Sequence, residues 1–344
     1  MNNLNYDWSI NETNFIKNKG SVFGTFICGG GSSFGYKLAG FNHLGGVEID
    51  KEVAMVYEKN HNPKYLYNMD IREFNKLQNL PSELFNLDIL DGSPPCSTFS
   101  MAGLRENAWG KEKTFREGQA KQKLDDLVFE YCKTIIKLKP KVFILENVKG
   151  IIQGNAKIYS KKIVNILIEN GYNVQVFLLN SASMGVPQKR ERVFFIGHQS
   201  KFNLSKLCLN FNLKPITYNQ IKDNNLGKKL TGKALELYNF KNDTDNSLGD
   251  VSKRLFNNNN YFSWVICKNN NVCNTVVSND SSPLIKPDIP YFLSDSEIIK
   301  IGTFPRDYNF GNIEPKYLIG MSVPPLMTAR IAIEIEKQWL SKIK

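Results

Sequence analysis

Apolar and polar positions alternate along the first 200 residues in a repeating rhythm of strand-like and helix-like segments. Ser21 to Ile27 reads as a strand, followed by the turn Gly29-Gly30-Gly31 and a helix to Ala39. Gly45 to Ile49 reads as a second strand, and Lys51 to Asn60 as a second helix. Leu87 to Leu90 is an apolar strand that ends at Asp91-Gly92. Leu127 to Leu138 has helical spacing, and Pro140 stops it before the strand Val142 to Leu145. Ile163 to Glu169 is helical and is ended by Gly171, while Val174 to Leu179 and Arg192 to Gly197 read as a closing pair of strands. Strand and helix in this order predict an α/β fold, with a mostly parallel sheet covered by helices on both faces.

From about residue 200 the rhythm fails. Short apolar bursts are separated by Asn runs at 257–260 and 269–271. Residues 201–290 hold twelve Lys and Arg against seven Asp and Glu, a net of +5. Regularity returns with a helix over Ser294 to Ile301, where Ser294 is placed to cap and Glu297 to complete a capping box. A long amphipathic helix is predicted over Pro325 to Leu340, with proline in its first turn. The simplest layout is one sheet domain made of 1–199 and 291–344, interrupted by a small, irregular, basic domain at 200–290.

Composition narrows the classes without choosing among them. The formal net charge of +11 fits a polyanionic partner, yet it equally fits a solvated Lys-rich surface or the codon bias of an AT-rich genome. Six cysteines without a CxxC pair and only three histidines argue against a zinc site or a disulfide framework, and for a reduced, cytoplasmic setting. No apolar run approaches the roughly 18 residues of a membrane span, and residues 1–20 lack an apolar signal core.

Four constellations could carry chemistry. The glycine turn after the first strand, with Glu48 about twenty positions later, can bring backbone close to a ligand and an acid to ribose hydroxyls, although Phe34 stands where a dinucleotide fingerprint has its third glycine. The bland reading is a tight turn and a surface acid; Asp70, at the next strand end, is open to the same two readings. In Asp91-Gly92-Ser93-Pro94-Pro95-Cys96, two prolines present a cysteine just past a strand's carboxyl end; the alternatives are a nucleophile and a small buried hydrophobe. Glu146-Asn147-Val148 places a carboxylate beyond another strand, for acid–base work or as a mere cap or ion pair. Gln188, Arg190 and Arg192 alternate along one strand, where they could hold a phosphate or a base carbonyl or form a solvated edge.

The order and spacing of these pieces resemble the cytosine carbon-5 DNA methyltransferases. Phe26-Ile27-Cys28-Gly29-Gly30-Gly31-Ser32-Ser33-Phe34-Gly35 is similar to that family's S-adenosylmethionine loop, Pro94-Pro95-Cys96 to its nucleophile motif, and Glu146-Asn147-Val148 and Gln188 to Arg192 to the two that follow. Thr275-Val276-Val277, Leu293 to Pro305, and Gly320-Met321-Ser322-Val323-Pro324 resemble its later segments. The likeness covers nearly the whole chain outside the basic insert. Cys28 replaces the family's first loop glycine, Met321 replaces an asparagine, and the arginine that usually precedes the Leu293 segment is missing.

The resemblance implies a Rossmann-like, S-adenosylmethionine-dependent sheet domain with a target-recognition domain at 200–290. It implies that Cys96 attacks carbon 6 of a flipped-out cytosine in duplex DNA, that Glu146 holds the ring's nitrogen 3 edge, and that Arg190 and Arg192 favour the thiolate, Arg192 also meeting the base carbonyl. For the cofactor it implies Phe26 against adenine, Glu48 on the ribose and Asp70 at the adenine amine. Close backbone approach falls to Gly30, Gly31 and Gly35, and the pocket is completed by Ile49, Ile71, Gly92, Pro94, Ser322 and Val323. Residues 97–124 would close over the DNA. A monomer acting beside a separate restriction endonuclease is the expected setting, with no metal and no membrane. Two rivals remain at this point. A tRNA methyltransferase on the same scaffold would carry a Cys-Phe-Thr signature, which this chain lacks; a catalytically dead paralogue is opposed by the presence of Cys96, Glu146 and Arg192.

Overall fold

The computed structural model describes residues 4–95, 112–113, 122–123 and 127–343. The chain packs as two compact units, one made of 15–179, 191–210 and 328–344, the other of 1–14, 180–190 and 211–327. These divisions fall at places other than 199 and 290, and residues 291–327 pack with most of the irregular basic segment.

The first unit is built on a seven-stranded sheet. Its strands are β1 (Ser21–Thr25), β2 (Asn42–Glu48), β3 (Tyr65–Asn68), β4 (Ile89–Gly92), β5 (Val142–Val148), β6 (Tyr172–Asn180) and β7 (Glu191–Gln199), in the order β3-β2-β1-β4-β5-β7-β6. Neighbours from β3 through β5 are parallel, and β7 runs antiparallel to β5. The order reverses direction between β1 and β4, where open α/β sheets leave a crevice for ligands. Helices α1 (Gly31–Leu38), α2 (Lys51–His61), α3 (Ile71–Lys76), α4 (Leu127–Leu138) and α5 (Lys157–Glu169) connect them.

Alternation along the strands sorts the side chains between the two faces. Phe23, Leu90, Phe143, Leu145 and Phe195 turn into a core with residues of α3, α4 and α5, including Phe74, Tyr131, Ile135 and Ile163. Asp91, next to Leu90, turns the other way and meets Tyr36 of α1. Capping fixes where the helices begin. The Asp50 carboxylate accepts from the Glu52 and Val53 amides to start α2, and Asp70 accepts from the Arg72 amide to start α3. Observed strands extend the expected ones by a few residues, as β5 does to Val148, because backbone pairing outlasts the apolar run.

In the second unit, α6 (Tyr218–Ile221), α7 (Gly232–Asn239) and α8 (Leu248–Phe256) pack with two-residue strands around Leu230, Leu237, Leu248, Val251, Ile266 and Ile285. Helix α9 (Asp295–Gly302) begins at Ser294 with the expected capping box to Glu297. Helix α10 (Pro315–Met321) has no counterpart in the sequence reading, since seven residues give too little periodicity to recognise. Helix α11 (Pro325–Gln338), most of which belongs to the first unit, follows the break at 322–324 and ends two residues before Leu340. The stretch 315–342 is long and apolar enough to cross a membrane by composition, yet its most apolar window is 72% buried within the protein, as in a core helix.

The Tyr131 hydroxyl stitches β4 to β5, lying 2.8 Å from the carbonyl oxygens of both Leu90 and Ile144. Tyr131→Phe leaves both carbonyls short of this donor in a buried site. It should cost about 1–3 kcal/mol in urea unfolding while leaving the far-ultraviolet circular dichroism unchanged.

Candidate active site

Strands β5 and β7 place Glu146 opposite Phe194, and Arg192 opposite Val148, on one face of the sheet. Arg192 Nε lies 2.9 Å from Glu146 Oε1, with both side chains largely buried. Burial lowers the Arg192 pKa from its ordinary value, with the Glu146 charge and hydrogen bond opposing the fall. Arg192 also donates through Nη1 to the Glu191 carbonyl at 2.8 Å. The pair is a carboxylate held in one orientation by a cation at the carboxyl end of a parallel strand.

Asn147 turns the other way along the same strand. Its Nδ2 donates to the Pro94 carbonyl at 3.4 Å, while its Oδ1 accepts from the Val148 amide at 2.8 Å. The Glu-Asn-Val segment therefore tethers the chain two residues before Cys96. Cys96 lies outside the described residues, as does 97–124 apart from the strand pair Glu112–Lys113 with Gln122–Lys123.

The glycine turn is shaped by left-handed backbone at three positions: Phe26 at φ 55°, Cys28 at 47° and Gly30 at 75°. Cys28 thus occupies a conformation that favours glycine, at a cost of about 1–2 kcal/mol. What holds it there is Glu48, whose Oε2 accepts from the Cys28 amide and whose Oε1 accepts from the Asp50 amide, both at 2.9 Å. Burial raises the Glu48 pKa to about 6 against these bonds. Behind the turn stands His61, whose ring would meet a Cβ on Gly30 at 2.1 Å. It stacks on Tyr57 and lies 3.9 Å from the Phe34 ring, and burial drives its pKa well down, so the imidazole is neutral. Phe26 packs partly into the core, Ile49 is 37% exposed beside Glu48, and Ile71 is buried at the start of α3. Asp70 is engaged by the Arg72 amide and by its guanidinium at 3.0 Å. Gly92 is required for a reason the sequence did not suggest: a Cβ there would stand 2.4 Å from the Tyr131 ring.

Asp91 was not anticipated as a site residue. Its Oδ1 accepts from the Tyr36 hydroxyl at 2.9 Å in a buried setting. Burial raises its pKa to about 7, with the Glu146 charge adding to the rise and hydrogen bonds from Tyr36 and Ser32 opposing it. An acid inside the apolar run Leu87 to Leu90 and just past it was the available signal for a buried polar group.

The Gln-x-Arg-x-Arg motif does not lie on one strand face. The strand is interrupted at Arg190, and Gln188 and Arg190 belong to the second unit while Arg192 belongs to the first. Gln188 donates to the Ile301 carbonyl at 3.0 Å and accepts from the Val276 amide at 3.2 Å. Buried Arg190 donates to the carbonyls of Val276 and Gly320 at 3.2 and 3.0 Å. A Cβ on Gly320 would stand 2.4 Å from the Ser278 nitrogen. Arg190 is thus a clamp on backbone. In the same unit Val323 is buried, and the buried Ser322 hydroxyl has no hydrogen-bond partner among the described residues.

Residues 22–337 match the C-5 cytosine-specific DNA methylase family. The chain belongs to this family. It is 36% identical over 180 residues to the type II methyltransferase M.FnuDI of Fusobacterium nucleatum, covering 52% of this chain and 47% of that protein. It is 29% identical over 330 residues to M.Bsp6I of a Bacillus species, covering 90% and 96%. The first of these matches spans about half of the curated relative's length. A solved structure of a DNMT2 mutant from Spodoptera frugiperda superposes with a TM-score of 0.65 over 92% of this chain and 100% of its own, at 16% identity, which is a likeness of fold. The C-5 methylase family accounts for the Rossmann-like sheet and for the order of the motifs along it.

Asp91 gives a sign that can be checked. Its folded pKa of about 7 lies above the usual aspartate value, so the wild type loses stability as pH rises from about 4 to about 7 and regains none above that. Asp91→Asn keeps an acceptor for Tyr36 without the charge. Its melting temperature should match wild type near pH 4 and exceed it above about pH 7, by an amount worth on the order of 2–4 kcal/mol.

Proposed function

We propose that this chain is a DNA cytosine carbon-5 methyltransferase of the restriction-modification type. The observation that carries the reading is the buried Glu146–Arg192 pair, with Asn147 holding Pro94 two residues from Cys96. Cytosine carbon 5 is a weak nucleophile until a thiolate adds to carbon 6. Cys96 supplies that sulfur, forming a carbon–sulfur bond at carbon 6 and pushing electron density onto carbon 5. Glu146, fixed by Arg192, meets the nitrogen 3 edge as its acid form, gives nitrogen 3 a proton as the sulfur adds so that no net charge builds on the ring, and takes that proton back when Cys96 leaves. Arg192, paired with Glu146, is the group that would also meet the base carbonyl. After transfer, loss of the carbon 5 proton to water and departure of Cys96 restore the aromatic ring. A base inside a stacked duplex exposes none of these atoms, so the cytosine is flipped out, at a cost of a few kcal/mol.

S-adenosylmethionine supplies the methyl group. The residues present suit it: Ile49 offers an exposed apolar surface, and the Glu48 carboxylate keeps acceptor capacity for a ribose hydroxyl beyond its backbone bonds. Asp70 stands at the end of β3 with its carboxylate a quarter exposed. Within the second unit, the buried Ser322 hydroxyl, without a hydrogen-bond partner among the described residues, is the kind of polar atom that a ligand satisfies. Gly31 and Gly35, in α1 after β1, and Pro94, just past β4, complete the set. Arg190 acts through position, holding Val276 and Gly320, and residues 200–290 serve target recognition.

The test is transfer of labelled methyl from S-adenosylmethionine to duplex DNA or to tRNA, with the product nucleoside identified by mass spectrometry. Label is expected as 5-methylcytosine in DNA and should vanish in Cys96→Ala. Label confined to tRNA would move the substrate, and none at all despite cofactor binding would leave a DNA-binding paralogue. Glu146→Gln should lower kcat by roughly 10²–10⁴-fold with cofactor affinity unchanged.

A further inference from the structure

The second unit displays aromatic side chains where a folded core gives them no use. Phe262 is 67% exposed, and Phe256 at the end of α8 is 46% exposed, with Leu255 beside it at 39%. Between them runs Asn257 to Asn260, all exposed. The turn that carries Phe262 is built firmly. Tyr261 adopts a left-handed φ of 65°, and a Cβ on Gly249 would lie 2.4 Å from the Phe262 Cα, so only glycine lets this backbone seat on α8. Asn258 Oδ1 accepts from the Ser252 hydroxyl at 2.6 Å and from the Asn260 amide at 3.1 Å. On the far side, the Trp264 amide donates to the Tyr261 carbonyl, the Leu248 amide donates to the Trp264 carbonyl, and the Tyr261 and Trp264 rings meet edge to face at 5.1 Å. A strained, braced turn that ends in an exposed phenylalanine needs a partner to account for it.

The charge around it selects the partner. Residues 228–268 hold seven Lys and Arg against four Asp and Glu, a net of +3. Three of the acids are engaged within the fold: Asp250 in the α8 capping box, Asp245 with Arg254 at 2.7 Å, and Glu236 with Lys233 at 2.8 Å. Lys233 also lies 3.9 Å from the Phe256 ring centroid, and Lys253 is exposed on the same helix. Two rings set among cations and amides suit a polyanion with flat faces better than a broad apolar protein surface.

We propose that the 256–262 turn is a DNA contact in which Phe262 stacks on, or wedges between, bases of the duplex. Exposed Asn259 and Asn260 offer amides of the type that reads adenine edges, and Lys253 meets the backbone. This contact rests on the methyltransferase reading above and assigns part of its target recognition.

The experiment compares the wild-type 344-residue chain with Phe262→Ala and Phe262→Trp on unmethylated duplex DNA of mixed sequence. It measures methyl transfer, DNA affinity, S-adenosylmethionine affinity and thermal unfolding. Phe262→Ala should raise the DNA KM about tenfold or more, with cofactor affinity within about twofold and an unchanged melting temperature, while Phe262→Trp stays within about threefold of wild type. An active wild type with unaltered DNA binding in Phe262→Ala would overturn the contact and leave the enzyme reading standing. So would equal impairment of both variants with lowered melting temperatures, or altered sedimentation with DNA binding intact, which would indicate a protein partner. A wild type that neither bound nor methylated duplex DNA would remove the enzyme reading and this contact together.

Discussion

A buried carboxylate must be matched by a cation or carry a proton, and the first unit meets both demands within one face of its sheet. Moving an ion of this kind out of water costs roughly several kcal/mol even after the surroundings relax. Arg192 meets the cost for Glu146 because β7 runs antiparallel to β5 and brings the guanidinium across from the strand end. No cation pairs with Asp91 among the described residues. Its side chain shares that face, and the Glu146 charge adds to the burial that raises its pKa, so a proton and the Tyr36 hydroxyl answer there instead. The two acids differ in role because strand β7 supplied an arginine to one and helix α1 a tyrosine to the other.

The same economy of partners explains the turn after β1. Left-handed backbone at Phe26 and Cys28 is unfavourable for residues with side chains, yet Glu48 collects the Cys28 and Asp50 amides and fixes both the turn and the start of α2. His61 then fills the space that Gly30 leaves open. A residue expected to bind a cofactor also organises the loop around it. This dual use is consistent with carboxylate chemistry, since each oxygen accepts more than one hydrogen bond.

The second unit shows how a charged motif can be absorbed by packing. Gln188 and Arg190 satisfy backbone groups of Val276, Ile301 and Gly320, segments far apart in sequence. Lys286 and Glu297 form a nearly solvent-free pair at 2.8 Å, completed by the Tyr218 hydroxyl and the Ser294 amide. Nothing in a run such as Gln188 to Arg192 tells which arginine faces a carboxylate and which faces carbonyls, because alternation along a strand says nothing of where the strand breaks.

The sequence by itself determined the α/β rhythm, the positions of most strands and helices, the capping box at Ser294 and the family to which the chain belongs. These rest on local periodicity, on turn chemistry, and on motifs that are contiguous in the chain. Tertiary structure alone decided that Arg192 pairs with Glu146, that Arg190 holds the carbonyls of Val276 and Gly320, that Gly92 makes room for Tyr131, and that Asp91 is buried beside Tyr36. Each of these depends on which strands become neighbours and in which direction they run. That is settled by burying apolar faces across the whole unit, and it leaves no mark on the residues immediately before and after the site.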